Sequence, residues 1–89
     1  MIKKKIEVIN KLGLHARAAA KLVETANKFK SEIILTKDKR KADARSIMKI
    51  LMLSASKGTN LIISVDGEDQ SKAMTTVTKL FEKGFDEKS

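Results

Sequence analysis

Residues 2–29, which read IKKKIEVINKLGLHARAAAKLVETANKF, contain the change of pattern that decides the fold. Apolar and polar residues alternate over residues 2–9, which predicts a half-buried strand. From Ala16 onward apolar residues recur every three or four positions, as they do on one face of a helix. Gly13 lies between the two patterns and permits a backbone turn that other residues resist. The stretch therefore predicts a strand, a turn, and a helix that begins at His15 or just after it.

The remaining sequence continues to alternate between the two patterns. It predicts strands at residues 32–36, 40–44 and 61–65, a short helix at 47–53, and a last helix whose apolar face ends before Gly84. The predicted order is thus β-α-β-β-α-β-α in a single domain, residues 1–89. Because the strands alternate instead of being apolar throughout, an antiparallel sheet with one covered face is favoured. Helices on that face would make a two-layer α+β domain.

The composition excludes several classes of protein. A chain of 89 residues with 42% hydrophobic content has room for one modest core. No apolar run approaches the ~20 residues of a membrane helix, and no apolar segment follows the basic N-terminus as in a signal peptide. There is no cysteine, so disulfides, thiolate metal sites and thiol catalysis are excluded. We expect a cytoplasmic chain with no cofactor, no metal and no membrane partner.

The net charge of +8 raises nucleic-acid binding as an alternative function. The positive charge is mostly scattered lysine, however, and aromatic residues, which would stack on bases, make up only 3% of the chain. A solvated lysine-rich surface is the plainer interpretation. Such a surface could also steer the chain toward acidic partner proteins.

His15 is the only histidine, and its position at a predicted helix start makes it the candidate reactive residue. The first backbone N–H groups of a helix lack intrahelical acceptors, and the positive end of the helix dipole lies there. Neither Leu14, His15 nor Ala16 is a strong N-cap, and the first turn carries Arg17 in place of an acidic residue. This pattern indicates an open anion site. An ordinary surface histidine is the alternative, and no second histidine or cysteine could complete a metal site.

The chemistry expected of this arrangement is phosphoryl transfer. The helix start favours the neutral imidazole, which is the nucleophilic form and could attack an activated phosphate. The backbone N–H groups of Ala16 and Arg17, together with the Arg17 guanidinium, would then balance the charge of the phosphoryl group.

Ser46 and the apolar helix behind it form a second candidate region. As the N-cap of that helix, Ser46 would contribute about 1 kcal/mol. If Ile47, Ile50 and Leu53 face the core, then Met48, Leu51 or Met52 must be exposed. Exposed apolar residues near a reactive group suggest a partner-docking patch, although they could also be the edge of the core. The residues that we assign to this docking patch are Ala20, Ile47, Met48, Lys49, Leu51 and Met52.

Two short motifs carry a resemblance that spans essentially the whole chain. Gly13-Leu14-His15-Ala16-Arg17 and Arg45-Ser46-Ile47-Met48 resemble the two signatures of the HPr family, the histidine-containing phosphocarrier proteins of the bacterial sugar phosphotransferase system. The resemblance implies a monomer built as an open-faced sandwich, with a four-stranded antiparallel sheet and three helices on one face. Ala18 departs from the pattern, because many members have proline there; alanine favours the helix and keeps an N–H donor.

The resemblance also implies a function and partners. His15 would accept a phosphoryl group at Nδ1 from phosphorylated Enzyme I and pass it to EIIA domains, as a carrier and not as an enzyme in its own right. Ser46 would be a regulatory site for an HPr kinase/phosphorylase in some bacteria. The stretch LFEKGFD at residues 80–86 is similar to NPr, the nitrogen-related paralogue. A regulatory carrier of the nitrogen branch is therefore an alternative.

Overall fold

The computed structural model describes residues 1–86, which form four strands and three helices. The strands are β1 (Ile2–Glu7), β2 (Glu32–Lys37), β3 (Arg40–Asp43) and β4 (Asn60–Asp66). The helices are α1 (Ala16–Ala26), α2 (Ile47–Met52) and α3 (Gln70–Glu82), and a 3-10 turn, Gly84–Asp86, follows α3. The predicted order is confirmed. The element boundaries differ by one or two residues, and β1 ends at Glu7 instead of residue 9.

The strands pair in the order β1-β4-β2-β3, and every pair is antiparallel. Along β4 the side chains of Leu61, Ile63 and Val65 are buried, whereas Ile62 is 43% exposed. This period of two means that one face of the sheet is covered and the other is open. The fold is therefore the α+β sandwich that the sequence predicted.

One hydrophobic core lies between the covered face of the sheet and the helices. From α1 it receives Ala18, Ala19, Leu22 and Ala26, all fully buried. Val23 and Phe29 pack against this core but are only partly buried, and Phe29 lies beyond the end of the helix. Within residues 1–86, no helix is both long enough and apolar enough to cross a membrane.

Arg45 connects the end of α1 to the start of α2 through hydrogen bonds. One nitrogen of its guanidinium donates to the carbonyl oxygens of Ala26 (3.2 Å), Phe29 (2.7 Å) and Ser31 (3.0 Å). The last carbonyls of a helix have no intrahelical donor, and a cation near them also complements the helix dipole. Arg45 therefore ties together the two helices whose starts carry the candidate residues His15 and Ser46.

Candidate functional site

The loop that leads into His15 is held by hydrogen bonds and by close packing of its backbone. The N–H of Leu14 donates to the Ala55 carbonyl (2.8 Å), and the Asn10 side-chain amide donates to the Gly13 carbonyl (2.7 Å). Gly13 has φ +65°, and a Cβ built on it would collide with the Ala55 carbonyl oxygen and lie 2.8 Å from the Cα of Ser56. Only glycine fits this position without displacement of the chain. The segment that leads to His15 is thereby positioned by the loop between α2 and β4, some forty residues further along the chain.

His15 is itself the N-cap of α1, which corrects the prediction that this helix start has no side-chain cap. Its backbone is extended (φ −79°, ψ 177°), and its Nδ1 accepts from the N–H of Arg17 at 3.3 Å. Its carbonyl accepts the N–H of Ala19 at 2.8 Å, as an N-cap carbonyl does. An imidazole nitrogen can replace the usual hydroxyl or carboxylate because it presents one lone pair in its neutral form. The first turn has no acidic residue, as predicted.

The identity of the capping atom determines where a group bound to the ring would lie. Since Nδ1 accepts a hydrogen bond, the proton of the neutral ring is on Nε2. Nδ1 therefore faces the first turn of α1, where backbone donors lack intrahelical acceptors. At 3.3 Å the bond to Arg17 is long for an N–H donor and is easily exchanged for one to a charged oxygen.

A cavity of about 420 Å³ opens beside the ring. It is lined by His15, Leu12, Arg17, Ala18, Lys21, Phe85 and Asp86. The predicted pair His15 and Arg17 is thus brought together, with Arg17 exposed to solvent. The sequence reasoning missed Lys21, Phe85 and Asp86. The spacing of four residues between Arg17 and Lys21 could have revealed the lysine, since such residues share a helix face.

Ser46 caps α2 as predicted. Its Oγ accepts from the N–H of Lys49 at 3.3 Å, and its backbone is extended. Among residues 1–86, no three side chains of metal-ligating type are grouped as a metal centre would require.

The docking patch lies on α2 and the exposed side of α1. Met48 and Met52 are 69% and 68% exposed, Leu51 is half-buried, and Ala20 and Lys49 are exposed. Ile50 and Leu53 are buried, as expected from the apolar spacing of α2.

Ile47 is 40% exposed, so of the three residues considered for the core face of α2 only Ile50 and Leu53 are buried. Ile47 is the first residue of α2, and side chains in a helix tilt toward its N-terminus. The Ile47 side chain therefore extends past the N-terminal end of α2. Its assignment to the docking patch is compatible with this exposure.

Comparison with known proteins places this geometry in a family. The family model described as the PTS HPr component phosphorylation site matches residues 2–83. Phosphocarrier protein HPr of Neisseria meningitidis is 47% identical over 87 residues, 98% of each chain. Phosphocarrier protein NPr of Escherichia coli is 39% identical over 87 residues, 97% of each chain. The crystal structure of HPr-C-His from Thermoanaerobacter tengcongensis superposes over all of both chains with a TM-score of 0.95 at 43% identity. The chain belongs to the HPr family of phosphocarrier proteins of the phosphotransferase system.

Proposed function

We propose that His15 is the residue that carries the phosphoryl group: its Nδ1 accepts the group from phosphorylated Enzyme I and donates it to an EIIA domain. The observation that carries this proposal is the contact between Nδ1 and the N–H of Arg17 at the start of α1. This contact points the Nδ1 lone pair toward the start of α1. There the backbone N–H groups and the Arg17 side chain can donate hydrogen bonds to phosphoryl oxygens.

The transfer requires no chemistry beyond what the ring supplies. The Nδ1 lone pair forms a bond to phosphorus while the bond between phosphorus and the donor atom breaks, and that electron pair stays with the donor. The N–H of Arg17 exchanges Nδ1 for a phosphoryl oxygen, and its guanidinium adds a charged donor. Because nitrogen is a good leaving atom, the same step runs in reverse toward the acceptor. The protein acts as a carrier with a phosphohistidine intermediate and depends on its partners for catalysis.

The docking patch is the surface that we assign to these partners. Met48 and Met52 present flexible apolar side chains to solvent, and such side chains adapt to more than one surface. Lys49 and the overall positive charge favour acidic partner surfaces and increase association rates.

Ser46 is proposed as a regulatory site for an HPr kinase. Its hydroxyl lies at the start of α2, where an added phosphate is electrostatically favourable. The same dianion, next to the docking patch, would repel acidic partner surfaces and slow the relay.

Phosphorylation by Enzyme I and phosphoenolpyruvate tests the proposal. We expect an intact-mass increase of one phosphoryl group that is lost in acid, is absent from His15→Ala, and persists in the control Ser46→Ala. An unlabelled wild-type protein, or label that survives in His15→Ala, would contradict it. Tight, salt-sensitive binding to nucleic acid without phosphorylation would support the nucleic-acid alternative.

The similarity to NPr keeps a nitrogen-branch carrier as a second candidate that uses the same His15 chemistry. Transfer from the phosphorylated protein to EIIA domains of the sugar branch and of the nitrogen branch, measured side by side, separates the two.

The cytoplasmic location and the monomeric state stay predictions, and light scattering of the purified protein would check the latter.

A further inference from the structure

A second cation shares the His15 cavity. Arg17 and Lys21 are four residues apart on α1, so their side chains lie on the same face of the helix. Helical side chains tilt toward the N-terminus, which directs the Lys21 side chain back toward the end of the helix that His15 caps. Both residues line the cavity beside the imidazole ring. The Lys21 ammonium is therefore positioned to interact with a group bound to the His15 imidazole.

The charges of the residues that line the cavity indicate that Arg17 alone does not give it a net positive charge. Asp86, which carries a carboxylate, lines the same cavity. Arg17 alone would only balance that carboxylate, leaving no net charge for an incoming anion. A phosphoryl group carries close to two negative charges at neutral pH. Lys21 makes the described lining net positive and thus favourable for this group.

Lys21 is held in place by a neutral partner. Its half-buried ammonium donates to the Phe85 carbonyl at 2.8 Å. Within residues 1–86, no carboxylate lies within ion-pair distance of Lys21. An ammonium group has three donors, so this bond orients the charge and leaves two donors for further acceptors.

The turn that supplies this carbonyl has an unusual backbone. Gly84, Phe85 and Asp86 have φ of +59°, +56° and +58°, a left-handed conformation that is uncommon for residues other than glycine. Phe85 is nevertheless 3% exposed, and its ring packs edge-on against Phe81 with centroids 4.8 Å apart. Burial of this ring holds the turn in its strained form, and the turn presents its carbonyl to Lys21. Strain of this kind concentrates at functional sites.

We propose that Lys21 is a second phosphate-binding residue of the His15 site, oriented by the Phe85 carbonyl. The inference rests on the proposed role of His15 as the phosphoryl carrier. It adds that the phosphorylated form is stabilised by a cation that the two sequence motifs do not contain. Lys21 forms no covalent bond in the transfer; it stabilises the product phosphohistidine relative to the free imidazole.

An equilibrium between two forms of the protein tests this role directly. Equal amounts of wild type and Lys21→Met are mixed with a trace of Enzyme I and a limiting amount of phosphoenolpyruvate, and the label on each is read by intact mass. Enzyme I moves the phosphoryl group from the Nδ1 of one protein to that of the other, so nothing else is consumed. The final ratio measures only how well each His15 holds the group. Slower docking delays this equilibrium without changing it.

We expect the phosphoryl group to favour wild type by about five-fold, which corresponds to roughly 1 kcal/mol. Lys21→Arg, which keeps the charge, should restore most of the ratio. Lys72→Met is the matched control, since this exposed lysine on α3 lies ~15 Å along the helix from its last residue, Glu82, by the ~1.5 Å rise per residue. Its ratio should stay at one.

A ratio of one for Lys21→Met would overturn the inference and leave the role of His15 intact. That outcome is also what a purely structural contact predicts, because a contact that stabilises both forms equally cancels from the ratio. Failure of wild type to be labelled at all, by Enzyme I or by phosphoramidate as a small phosphoryl donor, would overturn the proposed function and this inference with it.

Discussion

Gly13→Ala is the substitution that most directly tests how the fold positions His15. The added Cβ would meet the Ala55 carbonyl oxygen, which is the same atom that accepts the N–H of Leu14. The loop must move, the bond at Leu14 must open, and the neighbouring His15 must shift with it. Gly58→Ala is the matched control, because Gly58 also has positive φ (+91°) but its added Cβ meets nothing within 4 Å.

The two substitutions share one energetic cost and differ in another. A left-handed backbone costs a residue with a side chain about 1–2 kcal/mol, and both variants incur this. Overpacking against backbone adds about 1–3 kcal/mol, and only Gly13→Ala incurs it. The reduced entropy of the unfolded chain favours both alanines equally and cancels from the comparison. We therefore expect Gly13→Ala to be less stable than Gly58→Ala by about 2 kcal/mol, or ~8–16 °C in Tm for a domain of this size.

Urea unfolding followed by circular dichroism measures the free energies of unfolding, and Enzyme I with phosphoenolpyruvate measures the initial rate at His15. Below the unfolding transition we expect Gly13→Ala to be phosphorylated about 10–100-fold more slowly, since a small misplacement of a reacting group has effects of that order. Gly58→Ala should retain its rate. Equal stability and equal rates for the two variants would refute the argument that the contact with Ala55 positions His15.

Four further predictions follow from other contacts. Met48→Asp should slow transfer from Enzyme I without unfolding the protein. The control Ile62→Asp, on the open face of the sheet, should leave the rate of transfer unchanged. A transfer rate of Met48→Asp equal to that of wild type would contradict the assignment of the docking patch. Incubation with an HPr kinase and ATP should label wild type and not Ser46→Ala, and an unlabelled wild type would reject the regulatory role. Arg45→Met should lower the free energy of unfolding in urea by about 2–4 kcal/mol, because its guanidinium donates to the carbonyls of Ala26, Phe29 and Ser31. A loss below about 0.5 kcal/mol, the level of an ordinary surface change, would contradict this. The Ser31 hydroxyl, the Lys30 amide and the Ser31 amide donate to Asp69 and hold the pKa of its carboxyl below the usual value. The ionised carboxylate therefore stabilises the folded protein fully above about pH 4, and this stabilisation is lost as the pH falls through the pKa of Asp69 in the folded state. Asp69→Asn should lower the free energy of unfolding at pH 7, and its difference from wild type should shrink in acid. A difference that does not depend on pH would refute this linkage.

The sequence was sufficient for features that depend on neighbouring residues. The switch from a period of two to a period of 3.6 around Gly13 located β1, α1 and the helix start at His15, since local backbone preferences set these boundaries. Ser46 was identified as an N-cap for the same reason. The excess of apolar residues in α2 predicted that Met48, Leu51 or Met52 would be exposed, and in the structure Met48 and Met52 are.

Local pattern could not show which atom caps α1. An imidazole is a poor N-cap by general preference, and only the extended backbone of His15 in three dimensions brings Nδ1 to the N–H of Arg17. Spacing alone left Ile47 open between the core face, which Ile50 shares, and the docking patch, because the burial of Ile47 depends on what covers the end of the helix.

What the sequence by itself determined is the order of the elements and the position of the candidate reactive residue, His15, at the start of α1. Only the tertiary structure decided the strand order β1-β4-β2-β3, the Arg45 contacts that join α1 to α2, and the lining of the His15 cavity. The physical reason is that these features join residues distant in the chain: Lys21 and Phe85 are 64 positions apart, and they meet because the Phe85 ring is buried against Phe81. Periodicity reports which face of an element is buried, but packing between elements decides which side chains share a site.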